Sequence, residues 1–528
     1  MQDHKNKQLG GLITCGRHTS ASYLKHPIVT YRGNPFIEAL PPIKTDDEAA
    51  EALGRYPSYD PAERQMPTHL RLHRIQNASQ SFVPLPVHLD LQQRISRMIC
   101  AGYQNRNPVA IRYWKTLNEV CENLGSSTSI IPNGAHSVTL GFTIIGFPGV
   151  GKSTSVEAVL SLYPQVVYHS NYGRRDFHVA QIVWLKLECP FDGSAKGLCL
   201  SFFQAIDQFL GTDYERNYGS GRRTTDELLL NMTRVAAIHG LGVLVIDEIN
   251  RLSGCKGDGA MRLLSFFVQL TNSIGVPVVL VGTYKAKRVL SGEFHQIRRG
   301  TGQGDLVWDR MEEGEWIEAT RRNKLQSRNP GVWQFFIESI WIYQYTRVAC
   351  PLTKDLAHVL YEETQGITDF AVKVYMLAQI RAITTAGKSS DEVITADIIR
   401  SVARDSLKQA QPVLTALRTE NSEYLQTVPD INPLVIDDFI QAAQTALTNN
   451  KTPGNEKPTP YGKSGAARKS TNRKTKARRS KKPNAYDDAD LRAASNNAQS
   501  SNESVYEKLR KAGHIGGIVE SPSNEGAA

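Results

Sequence analysis

Residues Gly146 to Ser153 read G-F-P-G-V-G-K-S and fit the pattern G-x-x-x-x-G-K-[ST] at every fixed position. Val138 to Ile145 is an apolar, β-branched run that predicts a strand, and Ser153 to Leu162 carries apolar residues at helical spacing. Strand, glycine loop and helix are the context in which this octet binds phosphate. Gly146, Gly149 and Gly151 are expected to curl the backbone so that several N–H groups share one centre. Phe147, Pro148 and Val150 complete the loop, and Thr154 follows it. The helix aims its positive dipole end at the same point. Lys152 is expected to neutralise the β- and γ-phosphates, and the Ser153 hydroxyl to hold Mg²⁺. The ligand implied is ATP with Mg²⁺.

A phosphate loop needs a carboxylate on a neighbouring strand to complete the metal shell. Val243 to Glu248 reads V-L-V-I-D-E, four apolar residues running into two acids. A buried parallel strand has this look, and ligands gather at its carboxyl end. Asp247 is expected to bind the metal through water, and Glu248 to activate the attacking water, which makes the reaction ATP hydrolysis. The next strand, Val276 to Thr283, ends on a hydroxyl that can sense the γ-phosphate.

With 528 residues the chain can hold more than one domain, and no run of eighteen or more apolar residues predicts a membrane span. The N-terminal M-Q-D-H-K-N-K has no apolar segment after it, so no secretory signal is expected. Seven scattered cysteines without a C-x-x-C pair suggest free thiols in a reducing cytoplasm. The net charge of +10 is local: Lys463 to Lys482 holds ten Lys or Arg and no acid, so the remainder is neutral overall. DNA contacts in the body must then come from local groups, not from a global field.

The fold class expected is α/β. Residues 1–85 are Pro-rich and read as an arm that docks on a partner through N-P-F-I-E-A-L-P-P (Asn34 to Pro42). Residues 86–135 read as helical, 136–325 as a nucleotide-binding core with a parallel sheet between helices, and 326–410 as a helical lid. Helical or linker character is expected over 411–449, and a disordered basic tail over 450–528. Within that tail, 506–519 regains apolar content and reads as a docking peptide.

A phosphate-loop core followed by a helical domain resembles the AAA+ P-loop NTPase layout, which implies a nucleotide shared between subunits. In that layout the lid supplies a basic residue in cis and the neighbouring protomer an arginine in trans. Lys373, ahead of which stands G-I-T-D-F-A-V, is the cis candidate, where an arginine is commoner; Arg298 or Arg299 is the trans candidate.

More specific segments are D-G-S-A-K-G-L-C-L-S-F-F-Q-A-I-D at 192, L-G-V-L-V-I-D-E-I at 241, S-F-F-V-Q-L-T-N-S-I-G-V-P-V-V-L-V-G-T at 265 and V-K-V-Y-M-L-A-Q-I-R-A at 372. With N-P-F-I-E-A-L-P-P at 34 and Y-P-Q-V-V-Y-H at 163, they give the chain a likeness over residues 30–410. The chain resembles TnsC, the AAA+ regulator of heteromeric DNA transposition, and its shorter TniB-type relatives. The resemblance implies an ATP-bound homo-oligomer, ring or helical filament, around duplex DNA. It implies a target-selector protein on one side, transposase on the other, and hydrolysis that resets the assembly. Lys196, Arg222 and Arg223 are the candidates for sequence-nonspecific contacts to the DNA backbone. Two other classes remain: an AAA+ remodelling or loader ATPase with protein clients, and a nucleotide-gated scaffold with negligible turnover, against which Glu248 argues because a pure binding switch needs no water-activating acid.

Overall fold

The apolar runs of the core become strands because β-branched residues buried on both faces favour a parallel sheet over an amphipathic helix. The computed structural model describes residues 15–110, 113, 115, 141–219, 223–254, 259–286, 290, 304–317, 331–386 and 392–419. Two compact units divide the chain, Met1–Trp316 with Pro330–Ile440 and Ile317–Asn329 with Gln441–Ala528; of the second, only Ile317 is described.

In chain order the strands are β1 (His18–Ser20), β2 (Phe142–Gly146), β3 (Val166–Tyr172), β4 (Arg175–Ile182), β5 (Trp184–Glu188), β6 (Val243–Asp247), β7 (Val278–Gly282) and β8 (Leu306–Trp308). One sheet has the order β5-β6-β7-β2-β8, parallel throughout. The phosphate-loop strand β2 therefore lies between β7 and β8, and the carboxyl ends of β2, β6 and β7 share one edge. A second sheet, β1-β3-β4, joins the β3–β4 hairpin to β1. Neither β1, β3 nor β8 is expected from the sequence, because their runs are very short or broken by polar residues.

The helices before the core are α1 (Pro35–Glu38), α2 (Asp46–Leu53), α3 (Thr68–Arg74), α4 (Asn77–Gln80) and α5 (Pro86–Gln104). Within it come α6 (Lys152–Leu160), α7 (Ala195–Leu210), α8 (Tyr214–Tyr218), α9 (Thr225–Ile238) and α10 (Gly259–Ile274). Leu198, Phe202 and Phe203 of α7, with Met232 of α9 and Phe267 of α10, pack on Leu185, Leu187, Leu244, Ile246 and Leu280 of the sheet. Alternation along β5 then turns Trp184, Lys186 and Glu188 to the opposite face, where Lys186 meets Glu157 of α6.

The C-terminal region is helical: α11 (Val332–Trp341), α12 (Lys354–Thr364), α13 (Thr368–Thr385), α14 (Ala396–Ser406) and α15 (Gln411–Arg418). The first four lie within the stretch 326–410 expected as a helical lid, and the fifth within 411–449. Thr353 and Thr395 cap α12 and α14 by accepting from Leu356 and Ile398 N–H.

Residues 15–85, expected as an extended partner-docking arm, fold back onto their own chain. Asn34 caps α1 through Oδ1 and donates from Nδ2 to the Tyr103 carbonyl at 2.7 Å. Phe36 is fully buried beside Gly240, where a Cβ would stand 2.6 Å from its ring. Gln181 donates to the Phe36 carbonyl at 3.0 Å. Farther along, Arg71 is buried and forms a bidentate pair with Glu392, which precedes α14. Residues 30–75 thus tie the core to the C-terminal helices. The expected basic tail and its docking peptide lie outside the described residues. Among the described residues, no helix is long and apolar enough to cross a membrane.

Candidate nucleotide-binding site

The octet forms a loop between β2 and α6. Gly149 and Gly151 take φ of +81° and +90°, a left-handed backbone that side chains resist. Gly146 has a different job from the one expected of it. It is the last residue of β2, not a left-handed turn residue, and a Cβ there would lie 1.8 Å from the Trp308 carbonyl of β8. Its bareness serves close strand packing. Lys152 opens α6 and donates from Nζ to the carbonyls of Gly146 and Phe147 at 3.1 and 2.6 Å. A cavity of about 300 Å³ lies over the loop, lined by Pro148, Gly149, Gly151, Lys152, Ser153 and Thr154 together with Asp247, Glu248, Asn250, Thr283 and Asp369. The structure therefore gathers the candidates from the phosphate loop, from β6 and from the end of β7. Phe147 and Val150 are buried behind them.

Both acids at the end of β6 have defined settings. Asp247 Oδ1 accepts from the Glu248 N–H at 2.9 Å, and its Oδ2 lies 3.0 Å from Lys186 Nζ. Lys186 also reaches Glu157 Oε1 at 2.6 Å. Burial works against the Lys186 charge, but Asp247 and Glu157 outweigh it and hold the ammonium above the usual lysine value. Glu248 has φ of +56°, rare outside glycine, and accepts from Asn250 Nδ2 at 3.1 Å. Asn250 Oδ1 in turn accepts from the Thr283 N–H at 3.4 Å. The Thr283 hydroxyl is buried with no hydrogen-bond partner, which is costly unless a ligand oxygen satisfies it. Lys186 and Asn250 were missed in the sequence. A lysine inside the apolar run W-L-K-L-E was the available signal for the first; the second had none.

A larger cavity of about 640 Å³ continues from the loop toward α13. Its walls come from residues 79–88, from 149–155, from the stretch after β8 and from α11 and α13. At its inner end the Asp369 N–H donates to the Gly149 carbonyl at 3.0 Å, so the first turn of α13 rests on the phosphate loop. Lys373 lines this cavity but holds Asp369 at 2.7 Å, one helical turn away. Arg310, absent from the sequence reading, lines it as well and donates to Gln365 at 2.6 Å. On the opposite wall, Phe82, His88 and Trp308 form a run of ring contacts with centroids 4.8 and 5.3 Å apart. Burial lowers the His88 pKa to about 4, and its Nδ1 accepts from the Leu85 N–H at 2.8 Å, so the ring is neutral.

The fit to a metal nucleotide can be judged from these donors. Ser153 hydroxyl and Asp247 carboxylate are hard oxygen donors at one cavity edge, the set that Mg²⁺ favours. Among the described residues no group of three or more His, Cys, Asp or Glu gathers as a metal cluster. An ion held here would take its other ligands from phosphate and water.

Residues 139–290 match the family model of the AAA domain, AAA_22. The core is an AAA+ P-loop NTPase fold. It is a nucleotide-binding domain of the ATPase type, with a parallel sheet between helices and a helical region after it. No curated protein matches the chain. Among solved structures, the Aeropyrum pernix ORC1 protein in complex with DNA is 13% identical, with TM-score 0.32 over 56% of this chain and 66% of that one. The chain thus spans about two thirds of that protein's length. The Walker-type ATPase paby2304 of Pyrococcus abyssi is 12% identical, with TM-score 0.32 over 63% of this chain and 88% of that one. Such scores leave the fold assignment resting on the phosphate loop, the sheet and the family match.

Of the residues expected to touch DNA, Lys196 and Arg223 line neither of these cavities. Lys196 sits in the first turn of α7, half-buried, after the Ser194 cap. Arg223 donates to the Asn217 carbonyl at 3.0 Å ahead of α9. Arg222, Arg298 and Arg299 lie outside the described residues.

Proposed function

We propose that this chain is a TnsC-like, ATP-dependent regulator of DNA transposition. In the ATP state it oligomerises on duplex DNA, links a target selector to the transposase, and is reset by hydrolysis. The observation that carries the ATP switch is the contact of Asp369 N–H with the Gly149 carbonyl. Phosphates bound at the loop bear on the first turn of α13, so nucleotide state and lid position share one hinge. The ordered set of sequence segments supports the transposition reading.

In this reading the loop N–H groups, Lys152 and Ser153 hold the triphosphate and Mg²⁺, and Asp247 orders the metal's water. Glu248 takes the proton of the attacking water, and Thr283 meets the γ-phosphate with its unpaired hydroxyl. Lys373 turns from Asp369 to phosphate, and Arg298 or Arg299 of a neighbouring protomer completes the charge. Lys196, Arg222 and Arg223 track the DNA backbone. The selector meets the outer surface of the N-terminal segment, where Leu24, Ile28 and Val29 are exposed. Transposase meets the C-terminal peptide.

The test compares ATP hydrolysis and light scattering with and without duplex DNA for the wild type, Lys152→Ala and Glu248→Gln. Glu248→Gln is expected to trap ATP and stabilise DNA-bound oligomers, whereas Lys152→Ala prevents them. Turnover stimulated by a protein client and indifferent to DNA would instead identify a remodelling or loader ATPase.

A further inference from the structure

We infer that Lys186 is a positioning residue that keeps Asp247 one water away from the metal. The inference rests on the nucleotide-site reading above and assigns a role to a residue that neither motif contains.

Lys186 stands in the middle of β5 with its side chain only 7% exposed. A buried ammonium persists only with close counter-charges, and this one has two, Asp247 Oδ2 at 3.0 Å and Glu157 Oε1 at 2.6 Å. The other oxygen of Asp247 accepts from the Glu248 N–H. Each carboxylate oxygen thus has a partner before any ligand arrives, and what remains for the cavity is a lone pair suited to accepting from water. A divalent ion bound directly to Oδ2, at about 2.1 Å, would come within roughly 5 Å of the ammonium. Two positive centres so close in a partly buried site repel strongly. An intervening water moves the ion outward and avoids the clash.

Glu157 extends the device to the phosphate loop. It lies four residues after Ser153 on α6, so the two share one helix face. Lys186 therefore ties the strand end that carries Asp247 to the helix that carries Ser153, from behind the cavity.

The experiment measures ADP affinity in EDTA, then Mn²⁺ affinity of the ADP complex by electron paramagnetic resonance. The wild type, Lys186→Met, Lys186→Arg and Glu157→Gln are compared, each with its melting temperature. Removing the ammonium should leave ADP affinity in EDTA unchanged and tighten Mn²⁺ binding about tenfold or more, because Asp247 is free to bind the ion directly. Lys186→Arg should stay near the wild type. Glu157→Gln should move Mn²⁺ affinity the opposite way, weakening it a few-fold, because the ammonium then acts on Asp247 alone. If Lys186→Met does not fold, Glu157→Gln and Lys186→Arg carry the test: weaker Mn²⁺ binding in the first and near-wild-type binding in the second. Unchanged or weaker Mn²⁺ binding in Lys186→Met, or unchanged binding in Glu157→Gln, would overturn the inference. A wild type that binds no ADP in EDTA or Mn²⁺ would overturn the nucleotide-site reading itself.

Discussion

The two ends of the candidate site are built in different ways. At the phosphate end, the octet, Asp247, Glu248 and Thr283 come from three strand ends, each at the close of an apolar run. At the far end, the wall of the larger cavity is assembled from residues 79–88, the stretch after β8 and helices α11 and α13. Ahead of residues 79–88, residues 30–75 are strapped across core and C-terminal helices. Two buried cations mark the contrast. Lys186 pairs with a carboxylate that opens on a cavity, while Arg71 closes on Glu392, the Tyr345 carbonyl and the Met66 carbonyl and lines neither cavity. The phosphate end is organised for chemistry, and the far end is organised for stability.

Substitutions can break that contrast. The largest effect is expected from Glu248→Gln, which should lower ATP turnover by roughly 10²–10⁴-fold while leaving the melting temperature near the wild type. Phosphate release and thermal melting on the same sample check both halves. Arg71→Met should do the reverse. Stripping Glu392 of its bidentate partner, with only the Arg347 N–H and the more distant Arg347 guanidinium left, costs up to about 3–5 kcal/mol in denaturant melting, with turnover retained by the molecules that remain folded. If turnover falls as steeply as stability, the two ends are not separable.

The same pair has a pH signature. Burial favours the neutral form of Glu392, but the Arg71 hydrogen bonds, the Arg347 N–H and both guanidinium charges outweigh it and hold the carboxyl below its usual 4.5. A lowered carboxyl pKa contributes stability that is present above the unfolded value and lost as pH falls through the folded one. Acid melts of the wild type should show this loss, and Arg71→Met, left with Arg347 alone, should show less of it.

His88 sharpens the comparison at the wall of the larger cavity. Its pKa falls from 6.5 to about 4 on burial, so the unfolded chain takes up a proton before the folded one does. Stability should be full above 6.5 and decline as pH drops toward 4. His88→Asn, which keeps an acceptor for the Leu85 N–H, should flatten that limb in melts across the range. The smallest effect is expected at the junction of the two ends. Gly149→Ala forces a side chain into a left-handed backbone and sets a Cβ 3.2 Å from Ile367 of the hinge. A stability loss of about 1–2 kcal/mol with a raised KM for ATP is the expected result.

Much of the phosphate end was legible in the sequence because its chemistry is local. Gly149 and Gly151 are demanded by backbone direction, and Asp247 follows an apolar run that can only be a buried strand. The helical character of the C-terminal region was legible for a similar reason, since its apolar spacing repeats over several turns. Gly146 was misread, because a glycine required by a neighbouring strand looks in sequence like one required by a turn. Asn34 to Pro42 was misread in the same manner: an apolar patch among prolines signals docking but not onto what.

By itself the sequence determined that this chain has a parallel strand, a phosphate loop, a second acidic strand and a helical region after them. Period, glycine placement and the run of apolar residues are properties of consecutive positions, and they suffice for that. Only the tertiary structure decided that Lys186 stands behind Asp247, that Asp369 touches the phosphate loop, and that residues 79–88 wall the larger cavity. Those contacts join positions tens to hundreds of residues apart. They follow from strand order and from the strap that Arg71 and Phe36 hold in place, which no local pattern encodes.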